Sequence, residues 1–434
     1  MPPPSTPRLR KPAASAPSVD GATAANANPL RQLRASDLRG VARLAAQATT
    51  GISRVAEGVH QSVLGTLGLP GGDQPGRTRG LTGLVYQSIR GVTQLVDAGL
   101  QAGLARLEPF FAPATPSDAV HWEREAVIAA LNGVMGDRLQ RDGNPLCTQM
   151  GWYQHGLPLD LRALAAPGAA TGKLLVLVHG LCMNDLQWLR NGHDHGAHLA
   201  EVLGYTPVYL RYNTGQHTST NGAELSALLA SLVASWPVPV TELSILAHSM
   251  GGLVARSACH LAAQTPASAS GWLPRLRHLV FLGTPHHGAP LERAGHWVDV
   301  LLGSTAYSRP FARLAQLRSA GITDLRYGHV LDTDWQGRDR FRKSPDQRTP
   351  VPLPAGVACH AVAATLAARR SPVGERLVGD GLVPLHSALG IHDDAGRTLG
   401  FDKARQAVFY RLGHLDLLAD AGVARQLEDW MKVH

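Results

Sequence analysis

Beyond Lys173 the sequence returns repeatedly to short aliphatic or β-branched runs: KLLVLVHG, TPVYLRY, ELSILAHS, HLVFLGTP, GVACHAVAATLA and QAVFYRLGH. Helix-patterned or loop-rich stretches separate them. Runs that are apolar throughout belong to strands buried on both faces, and their alternation with helical segments predicts a mostly parallel sheet with helices on both sides. One connection shows the pairing. In NGAELSALLASLVASW, Leu225, Leu228, Leu229, Leu232 and Val233 share one stripe, and Pro237 ends the run, so the stripe is a sheet-facing helix surface.

A chain of 434 residues has room for one large α/β domain with additions, or for two ordinary ones. Its 44% hydrophobic and 17% charged content is that of a globular protein, whereas 46 glycines and 29 prolines call for many loops. Residues 1–30, rich in Pro, Ala, Ser and Asn, read as a disordered tail. From 31 to 112 apolar residues recur at three- and four-residue steps in two arms, Leu38 to Leu67 and Leu81 to Leu107. The break LPGGDQPGRTRG lies between them, so this region reads as an amphipathic helical hairpin. Residues 113–172 read as a helix over 118–140 and one or two strands in TQMGWYQHGLPLDL, leading into the α/β domain at 173–434. A long interruption, about 285–354, separates two of that domain's strands and is expected to form a cap or lid.

Most of the formal charge of +8 lies in residues 1–112. Lys and Arg there are not interleaved with stacking aromatics and form no nucleic-acid motif, so no nucleic acid is expected as partner. The hairpin is expected to pack on the α/β domain or a second copy, with peripheral contact to an anionic lipid surface as its other role. No run approaches 18 apolar residues and the N-terminus has no apolar signal core, which predicts a cytoplasmic protein, with membrane association only at a surface. Cys147, Cys182, Cys259 and Cys359 form no CxxC pair and read as reduced thiols. Nothing in the sequence fixes an oligomeric state.

The stretch TELSILAHSMGGLVAR, Thr241 to Arg256, passes from a strand pattern through His248 and Ser249 into paired glycines and a helix. A serine hydroxyl is a poor nucleophile at neutral pH, so it needs a base in hydrogen-bond reach, an acid to orient that base, and donors for the oxyanion. A sharp strand-to-helix turn exposes such a serine at the carboxyl edge of a sheet, and small residues permit it: Gly251, Gly252 and, where glycine is more usual, Ala247. Downstream, Asp380 in GDGLVPLHSALG follows one strand and His414 in QAVFYRLGHLDLL follows the last. Upstream, His179-Gly180 closes an early strand and brings the N–H of Leu181 forward as a second oxyanion donor beside that of Met250.

In this order HGL, AHSMGG, FLGTPHHG, DGLVP and GHLDLL resemble the bacterial lipase and esterase branch of the α/β-hydrolases, including relatives of the glycosylphosphatidylinositol inositol-deacylases. The resemblance covers roughly Lys173 onward. It implies an α/β-hydrolase fold and carboxylic-ester hydrolysis, with Ser249 as nucleophile, Asp380 as acid, His414 as base, and Leu181 and Met250 as oxyanion donors. A small-molecule or lipid ester is the implied substrate. Lipase, phospholipid deacylase, polyester depolymerase and acyltransferase outcomes all stay open. Asp416 matches one calcium ligand of certain secreted lipases, but residues 356–379 hold no second aspartate, so no metal and no cofactor are expected.

Other residues compete for these roles. Asp393, Asp394 and Asp402 lie in a polar loop, and His386 follows Asp380 too closely to serve as base. His248 reads as structural, while His286 and His287 are candidates for lining the cleft. The crowded NGHDHGAH, with His193, Asp194, His195 and His198, raises the alternative of a metal-dependent hydrolase, though a polar helix start accounts for it. A non-catalytic lipid- or partner-binding module is the remaining alternative.

Overall fold

The computed structural model describes residues 36–37, 39–40, 42–43, 122–265, 271–289, 319–339, 346–368 and 379–432. The tail expected at 1–30, nearly all of the hairpin expected at 31–112, and residues 290–318 and 340–345 of the expected cap lie outside the described residues.

Eight strands form one sheet: β1 (Gly151–Gln154), β2 (Leu157–Pro158), β3 (Lys173–Val178), β4 (Thr206–Arg211), β5 (Glu242–His248), β6 (Leu276–Leu282), β7 (Ala358–Thr365) and β8 (Gln406–Tyr410). Their order is β2-β1-β4-β3-β5-β6-β7-β8. All pairs from β4 to β8 are parallel, and only the edge hairpin runs antiparallel. That hairpin turns through His155 and Gly156, both at positive φ, the geometry whose twist suits a two-residue loop. The sheet therefore extends ahead of Lys173 into TQMGWYQHGLPLDL, the stretch expected to hold one or two strands, with β1 half-buried and β2 exposed.

The helices are α1 (Trp122–Arg141), α2 (His195–Leu203), α3 (Thr218–Ser235), α4 (Met250–Gln264), α5 (Ala320–Tyr327) and α6 (Ala421–Met431). Alternation along the central strands assigns them to two faces. Leu174, Val176 and Val178 pack with Leu225, Leu229 and Leu232 of α3 and Val254 and Ala258 of α4. Leu175 and Leu177 point the other way, to Leu199 of α2 and Val423 and Leu427 of α6. Every residue from Leu174 to Val178 is fully buried, which is why β3 reads as an unbroken aliphatic run. Each buried leucine of α3 contributes about 1.5–3 kcal/mol, so the stripe is a main fastening of that helix. Among the strands this is the α/β-hydrolase fold, set by strand order, parallel pairing and helices on both faces.

α1 is joined to the sheet edge by charge. Arg211 at the end of β4 binds Asp185 at 2.5 Å and Glu125 of α1 at 2.6 Å, and neighbouring Arg124 binds Asp37 at 2.6 Å. All five side chains are largely buried, where an ion pair holds only if neither partner is left alone. Among the described residues no helix is long and apolar enough to cross a membrane. All four cysteines are free thiols.

Candidate active site

Strand order reverses between β3 and β5: the chain goes from β3 outward to β4, then returns to β3's other side as β5. In a parallel α/β sheet such a reversal opens a crevice at the carboxyl ends of the two strands. Here those ends carry His179-Gly180-Leu181 and Ser249.

Ser249 joins β5 to α4 at φ 55°, ψ −124°, a conformation L-residues rarely adopt and one that costs on the order of 1–3 kcal/mol. Two hydrogen bonds hold it there: its N–H donates to the Leu282 carbonyl at 2.8 Å, and its carbonyl accepts from Gly252 N–H at 3.0 Å. The turn has no space for larger neighbours. A Cβ on Gly251 would lie 2.4 Å from the Val178 carbonyl oxygen, and one on Gly252 would lie 2.0 Å from Thr284 Oγ1. Ala247, in the position where glycine is more usual, is fully buried within the α3/α4 face of the core, so its methyl is accommodated. The serine is only 1% exposed, and its Oγ has no hydrogen-bond partner among the described residues.

The loop after β3 passes directly beside it. A Cβ on Gly180 would stand 3.0 Å from the Ser249 Cβ. The loop is held by Tyr212 Oη donating to the His179 carbonyl at 2.8 Å, by His179 Nδ1 against the Gly180 carbonyl at 2.9 Å, and by Cys182 N–H on Thr214 Oγ1 at 3.1 Å. Leu181 lies between these fixed points and is buried with Met250 in one apolar cluster. Met250 is the first residue of α4, so its N–H has no helical carbonyl four residues back to bond.

Asp380 and His414 are brought into direct contact. Asp380 Oδ2 accepts from His414 Nδ1 at 2.7 Å, and both side chains are essentially inaccessible, at 1% and 0%. The other carboxylate oxygen accepts from Leu382 N–H at 3.0 Å and Val383 N–H at 2.7 Å, which fixes the carboxylate plane. A backbone bond from His414 N–H to the Asp380 carbonyl, 3.1 Å, ties the two loops together. Asp416 Oδ2 accepts from Gly413 N–H at 3.0 Å and so shapes the turn that carries His414.

The end of β6 lies between the two halves of this arrangement. Leu282 holds Ser249, and a Cβ on the next residue, Gly283, would stand 3.1 Å from the His414 ring. His248 adds a second link: its Nε2 donates to the His414 carbonyl at 3.2 Å, with the rings 4.6 Å apart. Burial, reinforced by the neighbouring His414 ring, keeps the His248 ring neutral, well below the usual histidine range.

The competing residues are placed elsewhere. Asp394 and Asp402 cap single 3-10 turns through their own side chains. His386 sits in the short helix Leu385–Ala388. Asp194 caps α2 by accepting from Ala197 N–H at 3.0 Å, while His195 bonds His193 on one side and the Leu417 carbonyl on the other, each at 2.9 Å. Among the described residues no group of three or more His, Cys, Asp or Glu is arranged to hold a metal ion. His286 and His287 line a different cavity, together with Arg256.

One contribution carried no sequence signal. α1 lies against the loop after β3, so closely that a Cβ on Gly133 would stand 2.2 Å from Cys182 Sγ. Ala130 and Val134 of α1, and Ile322 and Leu325 of α5, share the apolar cluster of Leu181 and Met250. A glycine that admits another backbone looks, in a sequence, like any other glycine.

Comparison with known proteins gives a family match over part of the chain and several structural likenesses. The family described as a domain of unknown function (DUF7379) matches residues 148–325. No curated protein matches the chain. Among solved structures, the mature form of the Bacillus licheniformis lipase BlEst2 is similar at a TM-score of 0.36 and 18% identity, covering 57% of this chain and 86% of that one. A lipase-esterase related protein from Clostridium acetobutylicum gives a TM-score of 0.32 at 14% identity, over 60% of this chain and 95% of that one. A thermophilic esterase from Thermogutta terrifontis gives 0.33 at 14% identity, over 60% and 90%.

Proposed function

We propose that this protein is a serine hydrolase of carboxylic esters, acting through Ser249, His414 and Asp380. The observation that carries the reading is the buried 2.7 Å contact between Asp380 and His414, linked through the end of β6 to a serine held at positive φ. In this reading Asp380 fixes the proton on His414 Nδ1 and leaves Nε2 as the basic nitrogen. Ser249 Oγ attacks the ester carbonyl as its proton passes to Nε2, and the imidazolium that forms is stabilised by Asp380. The tetrahedral oxyanion is received by the N–H groups of Leu181 and Met250, each such donor being worth about 3–4 kcal/mol in the transition state. Collapse transfers the proton from Nε2 to the leaving alcohol and leaves an acyl-enzyme. Water then repeats the sequence and releases the acid.

An apolar acyl group is the expected fit, since the side chains of the two proposed oxyanion donors, Leu181 and Met250, belong to one apolar cluster with Ile322, Leu325, Val330 and Leu382. The test is stoichiometric labelling with a fluorophosphonate, together with a chain-length series of p-nitrophenyl esters, on wild type and Ser249→Ala. Labelling and turnover that both disappear in a folded Ser249→Ala support the reading. Unchanged turnover in that variant refutes it.

A further inference from the structure

A concave site lies away from Ser249, and the proposed ester hydrolysis does not use it. It is a cavity of about 140 Å³ bounded by α4, the loop after β6, the turn from Gly328 to Asp334, and the segments 348–352 and 396–399, and none of Ser249, Asp380 and His414 lines it. Its polar wall is mostly basic: Arg256, Arg348, Arg397, His286 and His287 face one carboxylate, Asp334.

The charges on this wall are not equally answered. Arg348 grips Asp346 with two nitrogens, at 2.9 and 2.7 Å, and donates its remaining bonds to the carbonyls of Gly328 and His286. Arg397 binds the Arg348 carbonyl at 2.8 Å and lies 3.4 Å from both Asp346 and Asp394. Asp334 is engaged by three backbone N–H groups, those of Val330, Leu331 and Thr349.

Arg256 is different. It is 4% exposed, its Nη2 donates to the Val351 carbonyl at 2.7 Å, its Nε has no partner, and among the described residues no carboxylate stands within ion-pair distance. A buried guanidinium in that state costs several kcal/mol unless an anion completes it. Burial, reinforced by the Arg348 charge and only partly offset by the Asp334 carboxylate, lowers its pKa to about 10, which still leaves it a cation at neutral pH. Beside it His286 is fully buried, and neither ring nitrogen has a partner among the described residues. Burial keeps that ring neutral, so it carries one N–H donor without adding charge.

We propose that this cavity is a binding site for a small oxyanion, a carboxylate or phosphate group, seated between the Arg256 guanidinium and the His286 ring. The guanidinium fork matches two oxygens of such a group, and a neutral imidazole N–H supplies a third bond. The volume accommodates the anion with several waters or a short organic remainder. Its occupant would rest on two elements that also build the active site: α4, which begins beside Ser249, and the loop from Gly283, which packs on His414. The binding itself does not depend on the catalytic reading.

Isothermal titration of the full chain with inorganic phosphate and with acetate, at constant ionic strength in chloride, tests it. Wild type is expected to bind at least one of the two saturably. Arg256→Gln removes the cation, and Thr349→Glu brings a competing carboxylate to the rim. The Thr349 side chain is exposed, and its bond to Asp334 is made by the backbone, so this variant keeps the fold even if Arg256→Gln does not. Both variants should weaken binding by at least about tenfold, whereas Thr349→Gln, equal in size and neutral, should bind as wild type does. Saturation by phosphate alone assigns a tetrahedral ligand and by acetate alone a carboxylate, and either supports the site. No saturable binding of either anion by wild type, or binding unchanged in Thr349→Glu, overturns it.

Discussion

The N–H of Ser249 donates to the carbonyl of Leu282 at 2.8 Å, one residue past the end of β5, so the serine's backbone is paired to the neighbouring strand while its side chain is not. This bond holds a backbone conformation that the residue itself disfavours. Glycine reaches φ 55°, ψ −124° without a Cβ clash, whereas alanine meets the same obstacle as serine. Ser249→Gly should therefore be more stable than Ser249→Ala by about 1 kcal/mol, after the extra freedom of an unfolded glycine is subtracted. Urea midpoints of the two variants measure this, and an alanine variant at least as stable as the glycine one would remove strain from the account. Both should lose more than about 10³-fold in ester turnover.

Asp380 makes two kinds of contact, and two substitutions separate them. Asp380→Asn retains an oxygen for Leu382 and Val383 N–H but turns an amide toward His414 Nδ1, which favours the wrong tautomer. It should fold normally and lose about 10³- to 10⁴-fold in kcat. Asp380→Ala also abandons the two loop amides and should lose a further 1–3 kcal/mol of stability, roughly the cost of leaving buried donors unpaired. Equal stability of the two variants in denaturant titrations would contradict this division of labour.

Crowding at the elbow gives a third outcome. Alanine at Gly252 would force its methyl into Thr284 Oγ1, the end of a short side chain, while alanine at Gly251 would force it into the Val178 carbonyl, which is backbone. Gly251→Ala is therefore expected to be the more damaging. Destabilisation of about 1–3 kcal/mol is typical of such overpacking, with Gly251→Ala at or above the upper end. Paired thermal scans that reverse this order would show that β3 yields more easily than Thr284.

How much of this was legible depends on how each residue is used. β3 and β5 were readable because burial on both faces demands unbroken aliphatic runs, and Leu243, Ile245, Leu246 and Ala247 are all at 0% exposure. The Asp380–His414 pair was readable because the two follow strands in a fixed order. By contrast, the Arg211–Glu125 pair joins residues 86 positions apart, and a charge in a sequence does not announce its counter-charge. Arg256 reads as one more polar position on a helix, although it is buried. The strands β1 and β2 fall within TQMGWYQHGLPLDL, where one or two strands are expected, but their antiparallel pairing onto β4 at the sheet edge has no signal in so short a stretch.

Buried neutral histidines set the response to acid. His179 and His195 are held at about 3 and about 4, and His248 and His286 well below the ordinary 6.5, in each case chiefly by burial. In the unfolded chain the same rings protonate near 6.5, so below that pH the unfolded state binds more protons and stability falls with pH. The contribution is fully present above about pH 6.5 and is lost progressively toward pH 3–4, each imidazole adding about 1.4 kcal/mol per pH unit to the slope. Urea midpoints measured from pH 7 to pH 4 should fall with a slope of more than one proton. A flat profile would mean that these rings are not buried as described.

His248 binds the carbonyl of a residue 166 positions further along the chain. During synthesis at about 5–20 residues per second, the elbow that carries Ser249 leaves the ribosome roughly 10 to 30 s before His414 does. For that interval β5 and α4 can exist, but the loop that brings His414 to Asp380 cannot. Under the proposed mechanism the nascent chain therefore carries its serine without a base, and activity would begin only once His414 has emerged and folded against Asp380.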